Sequence, residues 1–497
     1  MEMHERETIS DVEAKLAKAS KLEAKLKGIA AKALLKGDYN KALAAIAACG
    51  GILYDLNQKY TDAELEDYLL VVSAELVDFS EPWKEHEAPV VLYYDRFGLD
   101  LRGLAIANLD SILANGYRLH YVTSEHARGK QPHIGKVLDN PLAVIHYIDF
   151  TCSYMDCIDD LASVFREVQP TFAYIYTMPD DVVGISVFNA LAGKCTRALP
   201  DLTDHAFWLG VNSFDFCLNN RDMGQGIERF ERRIPREKLL RSAGPSLYVI
   251  EDADGGAWPF DPAEHPYVFS GGSLYKTLGG PGNAYYRIVD HIVSEHEDIV
   301  FWYAGEGDAS EIEKLQARYP GRIFHTEERS DFYQIIEGCI LYLNTYPMFG
   351  GMMMRYAARA GKIPVTLRHD SDADGILRDQ AAAQVEYDTV DELLDDIDLL
   401  LTDPEYRNER EAKLEGCVVM PEEYARYVKM LIEEHRTEYP CHFEPQDTTS
   451  FRSEFLERFD IRAAKANYIA RRQNFSLLPV FPSVFAGKAF KKVIRSN

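Results

Sequence analysis

The residues best suited to chemistry in this chain gather around glycines. In Cys339–Leu367 (CILYLNTYPMFGGMMMRYAARAGKIPVTL), Gly350–Gly351 opens an amphipathic segment with Met352 in its first turn. A glycine pair at a helix start lets an anion approach bare backbone N–H groups, and the helix terminus adds partial positive charge. Such a turn serves phosphate, or it serves only the geometry of a strand–helix connection; alone it fits both. Asn344, Thr345 and Tyr346 stand directly before it. Their amide and hydroxyl groups suit a sugar or phosphate, or the bonds that Asn and Thr make to their own backbone in turns. In SGGSLYKTLGG, Lys276 follows Gly271–Gly272. A fixed cation there would stabilise charge developing on a departing phosphate, whereas a lysine without that task is solvated surface. Glu306 and Asp308 flank Gly307 after an apolar run. They stand where open α/β sheets bind ligands, or are solvated acids of an acidic protein.

A second group lies in ALPDLTDHAFWLG, where Asp204–His205 precede Phe207 and Trp208. His205 could exchange a proton with a reacting hydroxyl near neutral pH, with an aromatic neighbour to stack on a sugar ring. A histidine among aromatics is as readily a core residue. Asp95 and Gly98 occupy the loop after the first apolar run of the α/β pattern. Asp-x-Asp pairs at Asp252–Asp254 and Asp372–Asp374 could hold a divalent ion against a diphosphate. Neither stands at a strand end, so no metal is expected. The eight cysteines are scattered, with only Cys152 and Cys157 close, and no histidine cluster completes a zinc site.

The elements that must position these residues alternate. Val90–Tyr94, Tyr117–Val122, Ala143–Ile148 and Thr171–Tyr176 read as buried strands, with helices at Arg102–Asn115 and Val182–Leu191. Farther on, Tyr267–Ser270, Asp298–Gly305, Arg322–His325, Ile340–Leu343 and Ile363–Leu367 repeat the pattern, with helices at Ala309–Tyr319 and Phe332–Glu337. Repeated strand–helix–strand units predict parallel sheets. Tyr387–Leu401 reads as a helix capped through Thr389 and Asp391 and stopped by Asp403–Pro404. The stretch ADGGAWPFDPAEH reads as a connection between two α/β units, and Ile9–Val77 as helices.

The order Gly305–Gly307, Arg322–Phe324, Asp331, Phe349–Gly351 and Ala360–Val365 resembles the donor domain of GT-B glycosyltransferases. It resembles in particular the large retaining family of polysaccharide-assembly enzymes. The resemblance covers about a third of the chain well and lies in motif order. It implies two Rossmann-like parallel-sheet domains facing a cleft, with a helical N-terminal extension. The expected limits are a helical extension over 1–85, an acceptor domain over 88–245 and a donor domain over 265–405. Closing helices would span 406–440 and a basic tail 461–497. It implies a metal-independent, cofactor-free transferase moving a sugar from a UDP- or GDP-linked donor to an acceptor hydroxyl in cell-surface glycan assembly. The acceptor would be a glycan, a lipid-linked species or a protein. Lys276, Gly272, Glu306, Asn344, Thr345, Tyr346, Gly350, Gly351 and Met352 would bind the donor. His205, Asp204 and Asp95 would be catalytic, and Gly98 and Trp208 would meet the acceptor. The family's two glutamates have no counterpart: Tyr356 stands at one position, Met348 and Phe349 at the other. The alternative is a GT-B-shaped partner or chaperone subunit without catalysis.

At 497 residues the chain exceeds one ordinary core. The Lys/Arg-rich tail Ile461–Asn497 holds eight cations and no acid, so a net charge of −25 less this +8 leaves −33 on the remainder. A body this acidic repels nucleic acid, which excludes that partner class. The charged N-terminus has no apolar core, and no apolar run approaches membrane-spanning length, which predicts a cytoplasmic protein. The tail interleaves Phe475, Leu477, Leu478, Phe481 and Phe485 with its cations. That composition suits peripheral contact with the inner face of an anionic membrane, or folding back onto the acidic body.

Overall fold

The structure is a computed structural model that describes residues 9–250, 253–368, 377–378 and 380–460. The tail from Ile461, Asp252 and the Asp372–Asp374 pair lie outside the described residues. The chain divides into two units, Met1–Ala243 with Ala425–Asn497, and Gly244–Tyr424.

The first unit opens with helices α1 (Ile9–Leu34), α2 (Tyr39–Leu56) and α3 (Ala63–Leu76). Asp62 caps α3 by accepting the Leu65 N–H at 3.1 Å and is itself paired with Lys27 and Lys59. These helices do not stand apart as an appendage. Leu43, Ile46 and Leu53 of α2 share one core with Ile185, Phe188 and Trp208, and Ser73 of α3 donates to the Ser186 carbonyl at 2.7 Å. Strands β1 (Val90–Asp95), β2 (Arg118–Ser124), β3 (Ala143–Ile148), β4 (Phe172–Tyr176), β5 (Thr196–Pro200), β6 (Phe216–Asn219) and β7 (Leu239–Arg241) follow. Between them run α4 (Gly103–Ala114), α5 (Pro132–Leu138), α6 (Tyr154–Val168), α7 (Val182–Ala190) and α8 (Asp222–Phe230). The seven strands pair in parallel in the order β3-β2-β1-β4-β5-β6-β7. Central strands such as β4, FAYIY, are buried along their whole length, as a parallel sheet covered on both faces requires.

The second unit repeats the plan with β8 (Tyr267–Gly271), β9 (Val300–Ala304), β10 (Ile323–Thr326), β11 (Leu341–Leu343), β12 (Ile363–Leu367) and β13 (Glu386–Tyr387). Its helices are α9 (Ala284–Glu295), α10 (Ser310–Arg318), α11 (Phe332–Gly338), α12 (Gly351–Arg359), α13 (Gln380–Ala383), α14 (Val390–Thr402) and α15 (Pro404–Ala412). Two further helices, α16 (Pro421–Glu434) and α17 (Thr449–Arg458), complete the chain's described part. All six strands are parallel, in the order β10-β9-β8-β11-β12-β13.

Two expectations are corrected here and a third is extended. The stretch expected as a connection belongs to the second unit's core: Trp258 packs 5.2 Å from Trp302 and Phe260 5.3 Å from Tyr267. The cap of α14 pairs Thr389 with Glu392 rather than Asp391, each accepting the other's backbone N–H at 3.2 Å. Asp403–Pro404 ends α14 but also starts α15, whose Glu405 and Tyr406 N–H groups the Asp403 carboxylate accepts. Among the described residues no helix is long and apolar enough to cross a membrane, and all eight cysteines are free.

Candidate functional site

In each sheet the chain reverses direction of travel once, between β1 and β4 in the first unit and between β8 and β11 in the second. The loops leaving the two strands on either side of such a point part, opening a crevice at the strands' C-terminal ends where open α/β sheets bind ligands.

At the second unit's switch point, β8 exits through Gly271–Gly272, and the outgoing loops are pinned backbone to backbone. Gly272 has φ +131°, a conformation only glycine adopts readily. Its N–H donates to the Ala304 carbonyl at 3.0 Å, and its carbonyl accepts the Tyr303 hydroxyl at 2.9 Å. A Cβ on Gly305 would lie 1.8 Å from that same carbonyl oxygen, so the exits of β8 and β9 touch with no room for a side chain. The Leu274 N–H then donates to the Glu306 carbonyl at 2.8 Å, and His325 on β10 places Nε2 2.9 Å from the Gly305 carbonyl. Lys276 sits half-buried in the single helical turn Leu274–Thr277. Its carbonyl accepts the Met348 N–H at 3.1 Å, which joins the β8 loop to the β11 loop.

The β11 loop runs from Asn344 to Gly350 and delivers the start of α12. The first intrahelical bond is from Met354 N–H to the Gly350 carbonyl, and Gly350 offers no side chain as a cap. The N–H groups of the first turn, Gly351 to Met353, therefore lack helical acceptors. Asn344 is 1% exposed, and among the described residues neither amide atom meets a hydrogen-bond partner. Its Oδ1 would lie 2.7 Å from a Cβ on Gly350, so a buried, unsatisfied amide stands against the opening of the helix. Buried amides in that state are uncommon in folded proteins. Thr345 is otherwise engaged: its hydroxyl donates to the Met348 carbonyl at 2.7 Å, the turn chemistry weighed against a ligand role. Asp308 likewise accepts the Ser310 N–H at 3.0 Å at the start of α10, while the Glu306 side chain is exposed. Tyr346 is half-buried and Met352 exposed at the same place. Tyr356 points inward, its hydroxyl donating to the Tyr248 carbonyl at 2.8 Å and its ring 4.8 Å from Phe332; burial pushes its pKa up to about 12.

At the first unit's switch point Asp95 ends β1, fully buried. Its carboxylate accepts the Tyr121 hydroxyl at 2.6 Å and the N–H groups of Phe97 and Gly98 at 2.9 and 3.2 Å. Burial pushes its pKa up, and its bonds shape the loop through Gly98 (φ +60°). Two cations beside it were not singled out from sequence. Arg96 lies 4.0 Å over the Phe150 ring with Nε 3.7 Å from Asp181 Oδ1. Arg102 lies 4.5 Å over Phe97 with Nε donating to the Tyr176 hydroxyl at 3.2 Å. Their signal was position: each stands in the exit loop of the strand next to the reversal.

Asp204, His205 and Trp208 lie elsewhere, in the loop after β5. Strand β4 separates that strand from β1, a lateral offset of about 10 Å. The structure thus does not gather Asp95 with His205. Asp204 is 1% exposed; burial would raise its pKa, but the Arg221 guanidinium and His205 outweigh it and hold the carboxyl well below the usual range. Arg221 Nε donates to Oδ2 at 3.0 Å, and Asn219 adds a bond at 3.1 Å. His205 keeps Nδ1 3.4 Å from Asp204 and its ring about 6 Å from Phe451 and Phe455 of α17. Trp208 is buried, its Nε1–H bonded to Asp201 at 3.1 Å and its face covered by Arg232 at 4.4 Å, which leaves no face for a sugar.

The paired switch points can be set against known structures. A structure solved as a UDP-N-acetylglucosamine 2-epimerase of Listeria monocytogenes aligns with 72% of this chain and all of its own, with TM-score 0.52 and 14% identity. A glycosyltransferase of Rickettsia africae aligns with 70% of this chain and 99% of its own, with TM-score 0.51 and 8% identity. The chain has the GT-B fold. An O-GlcNAc transferase variant of Thermobaculum terrenum spans more of this chain, 88% against 80% of its own, at TM-score 0.46 and 14% identity. No family model and no curated protein matches the sequence. At such identities the likeness establishes architecture, and what the site does has to be argued from its own atoms.

Proposed function

We propose that the chain is a glycosyltransferase that binds a UDP- or GDP-linked sugar at the second unit's switch point and transfers the sugar to an acceptor hydroxyl. The carrying observation is the convergence of the open α12 terminus with the unpartnered amide of Asn344, beside the loop that bears Lys276. Free N–H groups and a fixed cation suit a diphosphate whose negative charge grows as the sugar–oxygen bond breaks. Asn344 would supply the first neutral hydrogen bond to the same group. This reading needs no metal at the diphosphate. Within the first unit, His205 is the candidate base for an acceptor hydroxyl, its Nδ1 3.4 Å from an Asp204 that Arg221 keeps ionised. Glycan assembly is the setting this reading favours.

A second reading, binding without transfer in a partner subunit, draws on Tyr356, which fills with aromatic packing the place where the resemblance implies a glutamate. Calorimetry with UDP and GDP tests the first step, and turnover of nucleotide sugars the second. Saturable binding with transfer supports the transferase; binding alone supports the second reading. No heat with either nucleotide and no turnover removes the transferase and favours the non-catalytic partner.

A further inference from the structure

We infer that His291, His296 and Asp398 form a site for one divalent transition-metal ion of the zinc class, which clamps α9 to α14. The three side chains converge from two elements. His291 Nε2 lies 2.9 Å and His296 Nε2 2.8 Å from the same oxygen, Asp398 Oδ1, and the three ligand atoms fall within 4.8 Å of one another. This convergence is not a helical repeat, because five residues along an α-helix turn the side chain away by about 140°. His296 returns because α9 ends there: its backbone is extended, φ −118° and ψ 90°, and carries the ring back toward Asp398.

The donor set is two imidazole nitrogens and one carboxylate oxygen, which zinc takes at about 2.0–2.2 Å. Ligand atoms around a tetrahedral ion at that range stand roughly 3.3–3.5 Å apart. The present separations therefore need to widen by only about 0.5 Å, and the 41% exposed Asp398 side chain has room to do so. The histidine side chains are 25% and 10% exposed, so the site faces solvent on one side and leaves a fourth position for water. In the ion's presence each imidazole would stay neutral, with its proton on Nδ1 and its Nε2 lone pair on the ion, and one cation would replace the two N–H bonds to Oδ1. The helix α9 leaves the C-terminal end of β8 and runs back before β9, which places His291 and His296 at the end of the sheet opposite Gly350. The site therefore lies apart from the nucleotide site and does not depend on it.

The test uses tag-free full-length chain, stripped with EDTA and dialysed. Zinc chloride is titrated by calorimetry, cobalt(II) by visible absorption, and thermal melting is recorded with and without zinc. One equivalent should bind, zinc should raise the melting temperature, and His291→Ala and Asp398→Ala should each weaken binding by at least about tenfold and abolish the thermal shift. Circular dichroism checks each fold; if His291→Ala fails to fold, Asp398→Ala at the more exposed position carries the comparison. Absence of saturable binding, parental affinity in either folded variant, or a thiolate charge-transfer band placing cobalt on a cysteine would each overturn the site.

Discussion

Replacing Gly305 with alanine should disable nucleotide binding by moving one loop. The new methyl would stand 1.8 Å from the Gly272 carbonyl oxygen, whereas a carbon–oxygen contact settles near 3.3 Å, so one strand exit has to retreat by about 1.5 Å. Both exits are held. Gly305 N–H bonds the Thr326 carbonyl at 3.0 Å, Gly272 N–H the Ala304 carbonyl at 3.0 Å, and the Tyr303 hydroxyl the Gly272 carbonyl at 2.9 Å. Overpacking of this kind with one or two lost hydrogen bonds should cost roughly 2–4 kcal/mol of stability. The displaced loop leads directly to Lys276, whose carbonyl anchors the Met348 N–H before α12. UDP affinity should therefore fall at least about tenfold, or about 1.4 kcal/mol. Calorimetry at 25 °C reads the affinity, with thermal melting beside it. Gly135→Ala, where a Cβ meets nothing within 4 Å, is the control and should bind as the parent does. If Gly305→Ala does not fold, Tyr303→Phe loosens the same carbonyl with the loss of one bond, about 1 kcal/mol, and should show a smaller loss. A folded Gly305→Ala protein that binds UDP within twofold of the parent would refute the placement of the site.

Lys276→Ala should weaken UDP or GDP binding by roughly 1.5–3 kcal/mol without unfolding the chain, the worth of one charge-assisted bond; unchanged calorimetric affinity would make Lys276 a surface residue. Glu66 gives a pH signature: buried and accepting the Gly210 N–H at 2.7 Å, its carboxyl is pushed up from 4.5 to about 7 by burial. Between those values the folded chain keeps a proton that the unfolded chain has lost, so stability should fall as pH rises through the window. Glu66→Gln should match the parent near pH 4 and exceed it by up to about 3 kcal/mol near pH 8 in urea denaturation; parallel pH profiles would count against it. Deleting Ile461–Asn497 should reduce co-sedimentation with anionic vesicles at low salt, since each of its eight cations could contribute up to about 1 kcal/mol near the surface. If the full-length chain does not sediment, membrane contact through the tail is dropped.

The parallel sheets were legible because their strands are uniformly apolar runs separated by helical periods, as VVLYYD and VFWYA show. Strands β5, β6 and β7 were not legible. TRALP and FCLN are short and mixed, and they gain burial only from neighbours the sequence does not identify. The glycine turns were visible as composition, but their purpose at Gly305 depends on a carbonyl from another strand, a contact no local pattern encodes. Trp208 and Asp204 looked available for chemistry because a sequence does not reveal Arg232 over one or Arg221 against the other. Asn344 shows the converse, since its turn-forming type gave no hint that its amide would be buried without a partner.

On the proposed reading, the second unit supplies the backbone half of a nucleotide site. Glycine exits, an open helix terminus and a lysine-bearing loop answer to the charge of a diphosphate, and charge is common to every nucleotide. The side-chain half is different. A carboxylate on the inward face of α12 would accept hydroxyl hydrogens from a ribose, but Tyr356 there turns its own hydroxyl to the Tyr248 carbonyl and packs its ring on Phe332. That hydroxyl donates its one hydrogen to the Tyr248 carbonyl, which fixes the direction of the ring. Tyr356 thus ties α12 to the segment that opens the unit and holds the helix terminus in place. On the proposed reading, packing at Tyr356 stands in place of a ligand contact and steadies the helix whose terminus would meet the diphosphate. Discrimination among nucleotides would then come from groups outside α12, and affinity for the diphosphate would rest with Gly350, Asn344 and Lys276.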